Sequence, residues 1–304
     1  MKPSVAIVLS GIELRNPTIL AAGVLGISAK TMKRVVDSGA GAVVTKSTGL
    51  EGRSGHPAPN IVEVESGLLN AMGLPNPGIE QMSVEINKLA KSGIPVIASV
   101  YGFTPAEYAE VASRACSAGA SAVELNVSCP NIGQVGCQIG QDAEMVGKVT
   151  GAVKARVDRP VFVKLSPNVT DIVEIGRSAE RSGADGVTAI NTLGGMAIDI
   201  HTMMPILGAD KGGLSGPVIK PIALRCVYDL YQSMKIPIIG CGGITSWEDV
   251  VEFLLAGATS VQIGTGVMYR GLSVFREVND GIISYMKDKK FQNIGELIGI
   301  AHRR

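Results

Sequence analysis

Aromatic side chains are scarce in this sequence: Phe, Trp and Tyr make up 4% of it. That leaves little from which to build platforms for stacked bases. An excess of one charge is missing too. Acid and base nearly cancel, at a net +1, so no basic field is present to hold a polyanion, and nucleic acid is not an expected partner. Long apolar runs are absent. The run in MKPSVAIVLSG (1–11) is too short for a signal peptide. No stretch reaches the roughly 20 apolar residues that cross a bilayer. A soluble, cytoplasmic chain without membrane contact is the expectation. Paired cysteine motifs are missing as well. Cys116, Cys129, Cys137, Cys226 and Cys241 are odd in number and contain no CxxC. This excludes a disulfide framework and a zinc or iron–sulfur site built by this chain alone. His56, His201 and His302 are the only histidines. They lie off the predicted strand ends and form no cluster with acids, so no metal site is expected.

Apolar residues, by contrast, are 46% of the chain, enough for a large core. Eight short β-rich runs recur: TILAAGV (18–24), AVVTKS (42–47), PVIASV (95–100), AVELNVS (122–128), PVFVKLS (160–166), GVTAINT (186–192), PIIGCGG (237–243) and SVQIGTG (260–266). They lack strict alternation, as parallel strands covered on both faces do. Helical patterns separate them: 81–92, 104–120 with Thr104 as N-cap, 142–157, 171–184, and 246–258 with Ser246 and Asp249 placed as a capping pair. Phrases such as SGAGAVV, AGASAVE, SGADGVT and AGATSVQ end one helix and open the next strand. Eight such units predict an α/β fold, a single (β/α)8 TIM barrel domain over 1–304. A doubly wound sheet is the competitor, but its first turn, AAGVLGISAK, lacks GxGxxG. The insertion 48–80 follows the second strand and so falls at the C-terminal mouth, where barrel active sites lie. The tail 291–304 reads as a final helix.

Polar residues gather at the strand ends. The second run ends in Lys46 and Ser47, the third carries Ser99, the fourth Asn126, Ser128 and Cys129, the fifth Lys164 and Ser166, and the sixth Asn191 and Thr192. The glycine pairs of GCGGI (240–244) and IGTG (263–266) stand where such barrels bind phosphate, since glycine lets backbone N–H groups approach the oxygens. Lys164 lies in apolar company. It suits a Schiff base, a phosphate partner, or a cation beside a reduced flavin. Asn70, Asn126, Asn131 and Asn191 both donate and accept, which suits a planar heterocycle bearing amides. With no histidine in place, Cys129 is the candidate for handling protons.

In combination, TKST (45–48), NAMGLPNPG (70–78), NVSCPN (126–131), VKLSPNVTD (163–171), INTLGG (190–195), GGLSGP (212–217), GCGGI and IGTG resemble the dihydroorotate dehydrogenases over essentially the whole chain. The wording of NAMGLPNPG and SPNVTD is most similar to the NAD-linked type 1B catalytic subunits. The resemblance implies FMN against Ala22, Lys46, Ser47, Ser99, Asn126, Lys164, Ile190, Gly216, Gly242, Gly243, Gly264 and Thr265. It implies the substrate pyrimidine against Lys46, Asn70, Ala71, Met72, Gly73, Leu74, Asn126, Asn191 and Thr192. Cys129 matches the family's base, on a loop of roughly 129–142, with Cys137 a spectator on the same loop. Ala22 and Ser99 depart from the Ser and Asn that family members often carry.

What the resemblance implies is oxidation of dihydroorotate to orotate in de novo pyrimidine synthesis, with hydride to FMN and the C5 proton to Cys129. A partner subunit carrying FAD and a 2Fe–2S cluster would pass electrons to NAD, around a homodimer of catalytic subunits within a heterotetramer. The membrane-bound quinone-reducing type has Ser at the base position and an N-terminal extension; this sequence shows Cys and none. The fumarate-using type 1A stays an alternative. So do a flavin-free aldolase using Lys164 and a non-catalytic binding barrel.

Overall fold

A computed structural model of the chain describes residues 3–127 and 139–303. Eight parallel strands close a barrel: β1 (Thr18–Leu20), β2 (Ala42–Val44), β3 (Val96–Val100), β4 (Ala122–Asn126), β5 (Val161–Leu165), β6 (Gly186–Ala189), β7 (Ile238–Cys241) and β8 (Ser260–Ile263). They neighbour one another in chain order, and β8 pairs back onto β1. Each predicted run contains one of them. β3, β4 and β5 are buried along their full length, because one face packs into the barrel and the other meets the helices. That explains why these runs do not alternate.

The helices follow their caps. α1 spans Ala29–Asp37, α2 Ile79–Lys91, α3 Pro105–Ser117, α4 Ala143–Lys154, α5 Ile172–Arg181, α6 Lys220–Ser233, α7 Trp247–Ala256, α8 Gly266–Arg270 and α9 Val274–Asp288. Thr104 accepts from the Glu107 amide, and Ser246 with Asp249 forms a reciprocal capping box. Asp142 and Asp171 cap α4 and α5. Such caps satisfy amides that the first helical turn leaves unpaired.

Two loops at the mouth build a second layer. Ile61–Val64 and Gly67–Asn70, from the insertion after β2, join Gly212–Ser215 and Leu193–Gly195, from the segment after β6, in a four-stranded antiparallel sheet. Leu69, Ala71 and Leu207 form a small core for it, separate from the barrel core. At the other end, the hairpin Ile7–Leu9/Ile12–Leu14 buries Leu9 and Leu14, and Ser10 donates to the Asp185 carbonyl just before β6.

The tail departs from expectation. Instead of one helix it makes two short 3-10 turns, Ile294–Leu297 and Ile300–His302. Gly299 sits between them at φ +72°, and His302 stacks on Tyr228 at 3.8 Å. The regular helix that closes the last unit is α9, just upstream. Among the described residues no helix is long and apolar enough to cross a membrane.

Candidate active site

The strand ends of the barrel and the four-stranded sheet enclose a cavity of about 260 Å³. Its floor is a chain of polar side chains from different strands. Asn126, at the end of β4, donates through Nδ2 to Ser47 Oγ at 3.0 Å. Ser47 in turn shares a hydrogen with Ser99 Oγ at 2.8 Å. Asn126 Oδ1 accepts from Asn191 Nδ2 at 3.3 Å. The backbone beneath is pinned by Tyr108 of α3, whose hydroxyl donates to the Asn126 carbonyl at 2.9 Å. Buried amides and hydroxyls are tolerable in a barrel mouth only when paired in this way.

Lys164 stands beside Asn126, its register partner across β4 and β5. Its Nζ donates to Gln262 Oε1 at 3.1 Å and lies 3.8 Å from Glu124 Oε1. Burial opposes the ammonium, but Cys241, when ionised, and Glu124 outweigh it, and the Lys164 pKa lies above the ordinary lysine value. Burial also pushes the Cys241 thiol up. Near neutrality that thiol is uncharged, and the acidic side chain facing the lysine is Glu124.

Glycines after β7 and β8 form one wall. Gly242 and Gly243 adopt φ of +133° and +75°. A Cβ on Gly243 would lie 2.8 Å from the Lys220 amide nitrogen. Only glycine therefore brings this backbone against the cavity. Beside it the Thr265 hydroxyl donates to Ser215 Oγ at 2.8 Å, tying β8 to the mouth sheet. Asn70 closes the opposite side, held by its Nδ2 donating to the Gly213 carbonyl at 3.1 Å.

The family model for dihydroorotate dehydrogenase matches residues 4–286. The chain belongs to the dihydroorotate dehydrogenase family. A relative from Methanocella arvoryzae, named as the catalytic subunit of dihydroorotate dehydrogenase B (NAD(+)), is 53% identical over 96% of each chain. One from Pyrococcus furiosus with the same name is 51% identical over 99% of each. A crystal structure of DHODH from Eimeria tenella in complex with ferulenol superposes with a TM-score of 0.87 at 22% identity. It covers 99% of this chain and 89% of its own, and shows the shared barrel fold.

Within this dihydroorotate dehydrogenase fold, most of the residues singled out from sequence meet at one cavity. Ala22, Lys46, Ser47, Asn126, Lys164 and Ile190 line it, as do Gly216, Gly242, Gly243, Gly264 and Thr265. So do Asn70, Met72, Gly73, Leu74, Asn191 and Thr192. Ser99 and Ala71 do not. Ser99 is buried behind Ser47, and Ala71 packs into the small core with Leu69 and Leu207. Cys129, Cys137 and Asn131 lie outside the described residues, as does most of the 129–142 loop.

Sequence reasoning passed over Glu124, Gln262, Ser215 and Cys241. A signal was present for two of them. Glu124 and Gln262 are polar interruptions inside AVELNV and SVQIG. A charge or amide in the middle of a fully buried strand needs a partner. Ser215 had no such signal, because the sheet that carries it pairs segments far apart in sequence.

Proposed function

We propose that this chain is the FMN-carrying catalytic subunit of an NAD-linked dihydroorotate dehydrogenase, oxidising dihydroorotate to orotate in pyrimidine synthesis. Its support is the convergence of a lysine-and-amide floor, a glycine wall and an amide-bearing sheet on one cavity, in a chain about half identical to relatives that carry that name. We infer further that 1–304 works as one barrel domain, with the 48–80 insertion part of its active-site face.

The residues present fit the flavin. The backbone at Gly242, Gly243, Gly264 and Thr265 would hold its phosphate by N–H groups that no side chain obstructs. Lys164 would lie against the ring edge that gains negative charge. Ala22 and Ile190 give apolar surface. FMN, when bound, supplies the hydride acceptor. The chain's own residues do the rest. Lys46, Asn70, Asn126, Asn191 and Thr192 would bind and orient the pyrimidine. Cys129, three residues beyond Asn126, would take the C5 proton, and closure of its loop would exclude water.

A Schiff-base role for Lys164 needs a neutral amine with a lowered pKa. The Glu124 carboxylate, 3.8 Å from Nζ, runs the other way by favouring the ammonium. Onward transfer to NAD would require a partner subunit with FAD and a 2Fe–2S cluster, around a homodimer of this chain. The name "catalytic subunit" borne by the relatives supports such a partner.

The test is anaerobic. The purified chain should be yellow, and dihydroorotate should bleach it. Addition of fumarate should leave it bleached, and NAD together with the partner subunit should restore the colour. Rapid recolouring by fumarate alone would move the chain to type 1A, and a colourless protein would end the flavin reading.

A further inference from the structure

The deepest charged residue of the barrel has no part in the mechanism above. Glu124 lies mid-way along β4, two residues before Asn126, and has no solvent exposure. An isolated carboxylate there would be strongly disfavoured. Three other strands answer it. The Thr188 hydroxyl of β6 donates to Oε2 at 2.8 Å, and Gln262 Nε2 of β8 donates to the same oxygen. Oε1 makes no hydrogen bond among the described residues and faces the Lys164 ammonium of β5 at 3.8 Å.

This arrangement has one solution. A carboxylate only accepts and an ammonium only donates. Gln262 must therefore turn its NH₂ toward Glu124 and its carbonyl toward Lys164, as observed. Lys164 and Gln262 line the cavity, while Glu124 sits beneath it.

We propose that Glu124 is a positioning residue: from the layer below, through its charge and through Gln262, it keeps Lys164 protonated and directed at the cavity floor, and so sets how strongly the site favours reduced over oxidised flavin. The proposal rests on the flavin reading given above. The other titratable groups around Lys164 are Cys241 of β7 and, lining the same cavity after β2, Lys46. The first is an uncharged thiol near neutrality, and the second is a like charge. Without Glu124, burial acts against the Lys164 proton, and near neutrality Cys241 is no anion to offset it.

The sign of the effect separates this role from a simpler one. A nearby negative charge by itself disfavours reduced flavin, so removing it would raise the midpoint potential at every pH. A residue that maintains the lysine cation does the reverse once the lysine loses its proton. The experiment is spectroelectrochemical titration of bound FMN in wild type and Glu124→Gln, from about pH 5 to about pH 9, a window that takes in the range to which burial lowers an unpaired ammonium. The expected result is a Glu124→Gln potential at or above wild type at the acid end that falls below it as pH rises. By the alkaline end the site should favour the reduced form at least tenfold less than wild type, about 30 mV for a two-electron couple. A variant potential at or above wild type throughout would overturn the proposal. Thr188→Val, nearly isosteric, should shift in the same direction by less. It carries the test if Glu124→Gln yields no folded protein, and an unchanged Thr188→Val potential would then be fatal. A wild-type chain that binds no FMN removes the underlying reading and the proposal together; FMN bound with no alkaline fall removes the proposal alone.

Discussion

Asn126 ties together the floor of the candidate site: it donates to Ser47, accepts from Asn191, and its carbonyl receives the Tyr108 hydroxyl. Truncating it leaves the Ser47 and Asn191 groups at the cavity floor short of a partner, and such losses cost more than a missing contact. Asn126→Ala should lower kcat/KM for dihydroorotate by tenfold or more, which is about 1.4 kcal/mol. Ser99→Ala, one hydrogen bond further out, should cost less than about threefold, since its effect reaches the cavity only through Ser47. Steady-state kinetics on the two variants checks the order. Equal losses would mean the hydroxyl relay matters as a unit. The thiols can be sorted at this scale too. Burial raises the pKa of Cys226 and Cys241, and that of Cys116 to about 11, so all three should resist alkylation. A thiol reagent at about pH 8, near a free cysteine's pKa, should inactivate the enzyme by modifying Cys129, with orotate protecting. Mass spectrometry that finds Cys241 modified and Cys129 intact would shift proton handling to the buried thiol.

At the level of elements, much was legible because local chemistry repeats. Thr104, Asp142, Asp171 and Ser246 each announce a helix by capping it. The eight apolar runs each contain a barrel strand because both faces of every strand are covered. What was not legible has no local signal. Leu193–Gly195 and Gly212–Ser215 are short and glycine-rich: the second becomes a strand by pairing with Gly67–Asn70, more than a hundred residues away, and the first by pairing with the second. The tail 291–304 has a helical composition, yet Gly299 and the docking of His302 against Tyr228 break it into short turns. The capping box of α7 gives an energetic test. Ser246→Ala removes the acceptor for the Asp249 amide and should cost about 1 kcal/mol, read as a lower Tm. Asp249 adds a pH signature. Burial opposes its charge, but the Lys220 ammonium and the Thr245 and Ser246 amides outweigh that and hold its pKa below the usual carboxylate value. A depressed carboxylate stabilises the fold above its ordinary pKa, and that contribution is lost as pH falls through the folded value. Asp249→Asn should therefore lower Tm near neutrality, and the gap from wild type should close below about pH 4. A gap independent of pH would assign the loss to packing.

Across the whole molecule, the cavity has two owners. The barrel provides the floor and the glycine wall, on one continuous apolar core. The four-stranded sheet provides the opposite side, on the small core around Leu69. In the proposed function the flavin belongs to the barrel and the pyrimidine to the boundary between barrel and sheet. Gly213 lies at that boundary: a Cβ there would fall 2.1 Å from Thr192 Oγ1, and its carbonyl holds Asn70. Gly213→Val should push Thr192 and Asn70 out of place while leaving β1–β8 untouched. The expected phenotype is a normal FMN content per chain, with KM for dihydroorotate raised tenfold or more, a loss of binding of about 1.4 kcal/mol or more. FMN content by absorbance and KM by flavin bleaching are independent readouts on one preparation. If the variant loses flavin in proportion to its loss of substrate affinity, sheet and barrel act as one cooperative unit, and the division of labour between them is wrong.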